Sequence, residues 1–128
     1  MLLPALAHLP SLTLLCLSGT RLQSAGALHL CSALPYLTAL TELDVGYNEL
    51  TADDGARICS AAASAGLMRL KVLDLSGNAA TASSRITQRS LATLTTIQEL
   101  KFKGTRSFYF ALLSAISILS ADKSIRLL

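Results

Sequence analysis

Few side chains in this sequence could do covalent or metal chemistry. Its 128 residues include two histidines, His8 and His29, and three cysteines, Cys16, Cys31 and Cys59. A nucleophilic site needs a Ser or Cys beside a histidine that a carboxylate orients. The two histidines fall at different phases of the pattern described below, so no single row of a helix or strand stacks them. The spacings that mark a phosphate loop, a dinucleotide fold, a nucleophile elbow or a zinc-protease helix are absent. Three cysteines cannot form a fully paired disulfide set and are too few for a cysteine-only zinc site. Cys31 and Cys59 stand 28 residues apart, as two equivalent small core residues would. Free thiols fit a reducing compartment, so the expected location is cytoplasmic. Asp44 and Asp74 could share a divalent cation if they were neighbours, but no further ligand completes a shell. The expectation is a non-catalytic chain with no cofactor and no metal site.

The elements that must position these side chains show as a periodicity. Four segments align: LTLLCLSGTRL (Leu12–Leu22), LTELDVGYNEL (Leu40–Leu50), LKVLDLSGNAA (Leu70–Ala80) and IQELKFKGTRS (Ile97–Ser107). Their starts are separated by 28, 30 and 27 residues, and a fifth start falls near the closing Ile125-Arg126-Leu127-Leu128. In a strand, side chains alternate between faces. Leu15/Leu17, Leu43/Val45, Leu73/Leu75 and Leu100/Phe102 therefore point inward, predicting short strands near 15–17, 43–45, 73–75 and 100–102. Helices are expected between them. Leu28, Leu30, Leu34 and Leu37 mark the first. The second runs from an N-cap at Asp53 or Asp54 to a C-cap at Gly66. Ile86, Leu91 and Leu94 mark the third, and Leu112, Leu113, Ile116 and Leu119 the fourth. Helical crossovers require neighbouring strands to be parallel.

The pattern L-x-x-L-x-L-x-x-N/T, four times in register, resembles the leucine-rich repeat family over essentially the whole chain. The length near 28 and Gly26-Ala27 followed by Leu30 and Leu34 look most like the ribonuclease-inhibitor type. Asp54-Gly55-Ala56 followed by Ile58 repeats that feature. Ala82–Arg85 and Phe108-Tyr109-Phe110 depart from it. The resemblance implies an α/β fold, a right-handed, curved β-α solenoid with strands on a concave face and helices on a convex one. It also implies that Asn48 and Asn78 form a ladder satisfying backbone groups at the turns, with Thr20 and Thr105 as weaker rungs. Residues 1–128 read as one leucine-rich repeat domain. Leu3, Leu6 and Leu9 read as the second half of a helix without its strand. The chain is accordingly expected to be part of a longer solenoid, able to self-associate through uncapped ends.

Repeat arrays commonly bind through the exposed sheet face. The expected function is a protein–protein interaction module. The outward residues of the strands and their margins form the candidate site: Glu42, Asp44, Tyr47, Lys71, Asp74, Glu99, Lys101 and Lys103. The row Cys16, Asp44, Asp74, Lys101 would run from an acidic spot to a basic one. Two other readings stand beside this one. Ran GTPase-activating proteins share the repeat type, so the chain could be part of such an activator. It could also be a structural remnant of a larger multidomain repeat protein.

Composition agrees with a folded scaffold. Apolar residues make up 52% and charged residues 15%, with a mean hydropathy of +0.51, which excludes a disordered chain. Trp is absent and aromatics are 5%, so little is available to stack bases, and no nucleic-acid partner is expected. The net charge of +3 is unevenly spread. Residues 1–64 carry two basic and five acidic groups, and residues 65–128 carry nine basic and three acidic ones. The N-terminal apolar stretch has no basic residue before Arg21 and is interrupted by Pro4 and Pro10, so it is a poor secretion signal, and no membrane insertion is expected.

Overall fold

Each Leu-x-Leu unit supplies one very short strand. The computed structural model describes residues 3–78, 96–101 and 126–127. Its strands are β1 (Leu14–Cys16), β2 (Glu42–Asp44), β3 (Val72–Asp74), β4 (Glu99–Lys101) and β5 (Arg126–Leu127). They form one parallel sheet in chain order. The register places Leu15, Leu43, Leu73, Leu100 and Leu127 in one row. The strands start one residue earlier than the alternation suggests, because the outward residue before each inward leucine also pairs. Backbone bonding continues past their ends: the Leu17, Val45 and Leu75 amides donate to the Asp44, Asp74 and Lys101 carbonyls. The fold is thus α/β with a parallel sheet, as expected.

The described helices are α1 (Gln23–Ala33) and α2 (Ala52–Ser64), which pack against each other. Their buried residues join the inward strand residues in one core. Leu15, Leu43, Val45, Leu73, Leu75 and Leu100 meet Ala27, Leu30, Ile58, Cys59 and Ala62 there. The loops after the helices contribute Leu37, Leu40, Leu67 and Leu70. Burial of a large apolar side chain is worth about 1.5–3 kcal/mol, so this core is the main stabilising element. It thins at β1, where Leu17 is only half-buried.

Three local expectations need correction. Leu28 does not face the core: it is 52% exposed, and Ala27 is the buried residue. The polar residues of α1, Gln23, Ser24, His29 and Ser32, are spread around the helix, so hydrophobicity alone does not choose its inner face, and the small Ala27 allows close packing. The N-cap of α2 is Thr51, not Asp53 or Asp54. Thr51 Oγ1 accepts from the Asp54 amide at 3.2 Å, and Asp54 Oδ2 accepts from the Thr51 amide at 3.0 Å, a reciprocal capping box. The N-terminal segment Leu3–His8 is a 3-10 helix, not the end of an α-helix; Pro10 has no amide to reach the Leu6 carbonyl four residues back, and that carbonyl accepts from the Leu9 amide three residues on instead.

The far end of α2 is closed by Gly66 at φ +64°, one residue beyond the C-cap Ala65. Its amide donates to the Ala63 carbonyl and the Leu67 amide to the Ala62 carbonyl, a Schellman closure. The expected third and fourth helices, Phe102 and the Thr105 rung lie outside the described residues.

Candidate functional site

The sheet has one covered face and one open face. Leu15, Leu43, Leu73 and Leu100 are buried on the first. The residues flanking them point the other way, in two rows across the strands. Leu14, Glu42, Val72 and Glu99 form one row; Cys16, Asp44, Asp74 and Lys101 form the other. Leu14 and Cys16 are exposed, and the other six are half-buried. Asp44 and Asp74 are register partners, as the repeat spacing required. The surface narrows beyond this second row, because Gly46 and Ser76 are buried.

Both aspartates have a structural task that alternation did not reveal. Asp44 Oδ1 accepts from the Gly46 amide at 2.9 Å, and Asp74 Oδ1 accepts from the Ser76 amide at 2.9 Å. Each carboxylate so ties down the turn after its own strand. The second oxygen of Asp44 accepts from the Cys16 thiol at 3.4 Å. Lys101 pairs with Glu99 on its own strand at 3.6 Å and not with Asp74 beside it. Among the described residues, neither Asp44 nor Asp74 has a cationic partner. The expected acidic-to-basic row is therefore an acidic pair followed by a Glu–Lys pair that neutralises itself. Lys71 is exposed where the chain enters β3; Lys103 lies outside the described residues.

Tyr47 stands at the exit of β2, 56% exposed. Its φ is +54°, and Gly19 and Gly77, three residues beyond the ends of β1 and β3 as Tyr47 is beyond β2, have φ +67° and +68°. An L-residue there costs roughly 1–2 kcal/mol. The ring lies directly on Gly77, where a methyl group would overlap it. Aromatic contact with that bare backbone helps hold the side chain in place.

Behind this edge run the asparagine rungs. Asn48 Oδ1 accepts from the Thr20 and Leu22 amides at 3.0 and 3.1 Å, and its Nδ2 donates to the Leu17 and Gly46 carbonyls at 2.8 and 3.0 Å. Asn78 repeats this with the Asn48 and Leu50 amides and the Val45 and Leu75 carbonyls. Both side chains are buried. Thr20 offers only a hydroxyl, which donates to the Leu17 carbonyl at 2.8 Å.

The helical side offers less chemistry. An open depression of about 540 Å³ between α1 and α2 is lined by Leu28, Cys31, Asp53, Ala56, Arg57 and Ser60. Cys59 is buried in the core, and burial, with a smaller effect from Cys31, raises its thiol to about 12. Burial also raises the Cys31 thiol. Asp54 is buried as well; burial pushes its carboxyl up, but hydrogen bonds from the Thr51 amide and the Ser24 and Thr51 hydroxyls, with the Arg57 charge, leave it below the usual carboxylate value. Ser24 on α1 donates to it at 2.7 Å, joining the starts of the two helices. Among the described residues, no group of three or more His, Cys, Asp or Glu could hold a metal ion, and no helix is long and apolar enough to cross a membrane.

The chain matches no protein-family model, no curated protein and no solved structure.

Proposed function

We propose that the chain is a leucine-rich repeat solenoid of the ribonuclease-inhibitor-like type that acts without catalysis, docking a partner protein on the open face of its sheet. The observation that carries this is the in-register pair of rows, which gathers Glu42, Asp44, Val72, Asp74, Glu99 and Lys101 on one accessible surface while the core closes the other side. The buried asparagine rungs support the repeat assignment, since each ties the turn of one repeat to the next. Side chains on strands are held more rigidly than those on loops, which suits them to recognition.

The test compares two faces of the same molecule. Immobilised wild-type chain is used to capture partners, which are identified by mass spectrometry. Val72→Arg combined with Glu42→Arg, on the open face, removes the captured protein. Arg57→Glu, on the helical side, leaves it bound. Both substituted side chains of the first variant lack structural hydrogen bonds, so far-UV circular dichroism stays unchanged. Capture that survives the first variant and disappears with the second would move the interface to the helices.

A further inference from the structure

Resting on that interface, we infer that the occupant of the open face is an extended, arginine-bearing segment of the partner, with a guanidinium seated across Asp44 and Asp74 and its neighbouring residue against the Tyr47 ring. Three observations converge on this. The first is charge without a counterion: Asp44 and Asp74 are adjacent on the sheet, and no cation meets either among the described residues. Like charges directly opposite one another are unfavourable, and a bridging cation converts that repulsion into attraction. Lys101 does not fill the role, because its ammonium is held by Glu99.

The second is the shape between the carboxylates. Gly46 has no side chain there. A carbon placed on its backbone would stand 3.2 Å from Asp44 Oδ1, 3.2 Å from the Ser76 carbonyl oxygen and 3.6 Å from Asp74 Oδ1. Each of these oxygens already accepts a backbone amide, from Gly46, Tyr47 and Ser76 respectively, so the missing side chain leaves the carboxylate pair uncovered and the Oδ2 atoms, which no amide occupies, are what a ligand would meet. The carboxylates cannot swing away, because each is pinned through Oδ1 to the backbone two residues on. A planar guanidinium presents several N–H donors in a fixed fork and matches two fixed carboxylates better than the point charge of an ammonium.

The third is Tyr47, an exposed aromatic ring fixed on Gly77 at the same end of β2 and β3. A ring already immobilised loses little freedom on binding and attracts cations at its face. An extended partner segment running across parallel strands meets Glu42 in the adjoining row, so a further basic residue is favoured on that side of the central arginine, while the Glu99–Lys101 pair adds no net charge on the other.

The test uses the 128-residue chain and a fluorescein-labelled hexa-arginine peptide, followed by anisotropy at low and moderate salt. The whole protein carries +3, so its net charge repels the peptide and any association reports a local acidic surface. The variant Asp44→Asn with Asp74→Asn keeps an amide oxygen for the Gly46 and Ser76 amides while removing both charges. We expect it to weaken binding by about tenfold or more, Tyr47→Ala to weaken it by about threefold or more, and Asp53→Asn, on the helical side, to change it by less than about twofold. Hexa-lysine should bind less tightly than hexa-arginine. No binding by the wild type, equal binding by the Asp44/Asp74 variant, or hexa-glutamate binding as well as hexa-arginine would overturn the inference. If the capture experiment succeeds on the open face while hexa-arginine fails, the interface stands and only the cationic occupant is wrong.

Discussion

Replacing Asn78 by Ala removes one of the two most heavily bonded buried side chains described. Its Oδ1 serves the Asn48 and Leu50 amides, and its Nδ2 serves the Val45 and Leu75 carbonyls. Alanine leaves two N–H groups orphaned in a site that is 5% exposed. Each unsatisfied buried donor costs about 1–3 kcal/mol, so the pair costs about 2–5 kcal/mol after some relaxation. A domain of this size is stable by roughly 5–15 kcal/mol, which makes the loss large but survivable. With a urea slope of about 1–3 kcal/mol per molar, the midpoint should fall by about 1 M or more at unchanged slope. Thr20→Ala is the internal control. It loses a hydroxyl that donates to the Leu17 carbonyl at 2.8 Å, with a longer 3.2 Å contact to Asn48 Oδ1, keeps the Thr20 amide bond to Asn48, and should cost only about 0.5–1.5 kcal/mol. Asn78→Thr should recover part of the alanine loss, because a hydroxyl can donate to one of the two carbonyls. Equal midpoints for wild type and Asn78→Ala, or equal losses at Asn78 and Thr20, would refute the reasoning.

Two further predictions follow from the backbone and the capping box. Gly19→Ala should cost roughly 1–2 kcal/mol for an L-residue at positive φ, because nothing stands within 4 Å of the added methyl; Gly77→Ala should cost clearly more, since its methyl overlaps the Tyr47 ring. A double-mutant cycle checks this: Tyr47→Ala should relieve part of the Gly77→Ala loss, and strict additivity would show that the ring is not the obstacle. Asp54 sits below its usual value of 3.8, so its contribution is fully present above that pH and disappears as pH falls through the lower folded value. Asp54→Asn should therefore lower stability at neutral pH and flatten the acid limb of a thermal-melt series, and an acid limb as steep as the wild type's would contradict the assignment.

The strands were legible because one residue type marks one structural position. Leu15, Leu43, Leu73 and Leu100 recur at nearly constant spacing, and a slip of one residue would bury Asp44 and Asp74. That constraint also placed the two aspartates side by side before any coordinates were needed. The helices were less legible. Ala25, Ala27, Leu28 and Leu30 give α1 no polar side that would identify its inner face. The Thr51-Ala-Asp-Asp54 spacing carried a capping-box signature, but two adjacent aspartates competed with Thr51 for the cap. Alternation assigned Asp44 and Asp74 to the open face without showing that each also anchors the amide two residues on. Only the three-dimensional turn shows that Gly46 and Ser76 withdraw from the surface.

The asparagine rungs have a direction. Asn48 completes the turn that contains Thr20 and Leu22, and Asn78 completes the turn that contains Asn48 and Leu50. Each loop thus borrows its finishing acceptor from sequence that is synthesised later. During translation, the Thr20 and Leu22 amides stay open to solvent until Asn48 has emerged and docked, and those of Asn48 and Leu50 wait for Asn78. At these two places, assembly is a relay in which the later strand and turn seal the turn before them. Deuterium uptake at Thr20 and Leu22 then reports whether the turn carrying Asn48 is in place.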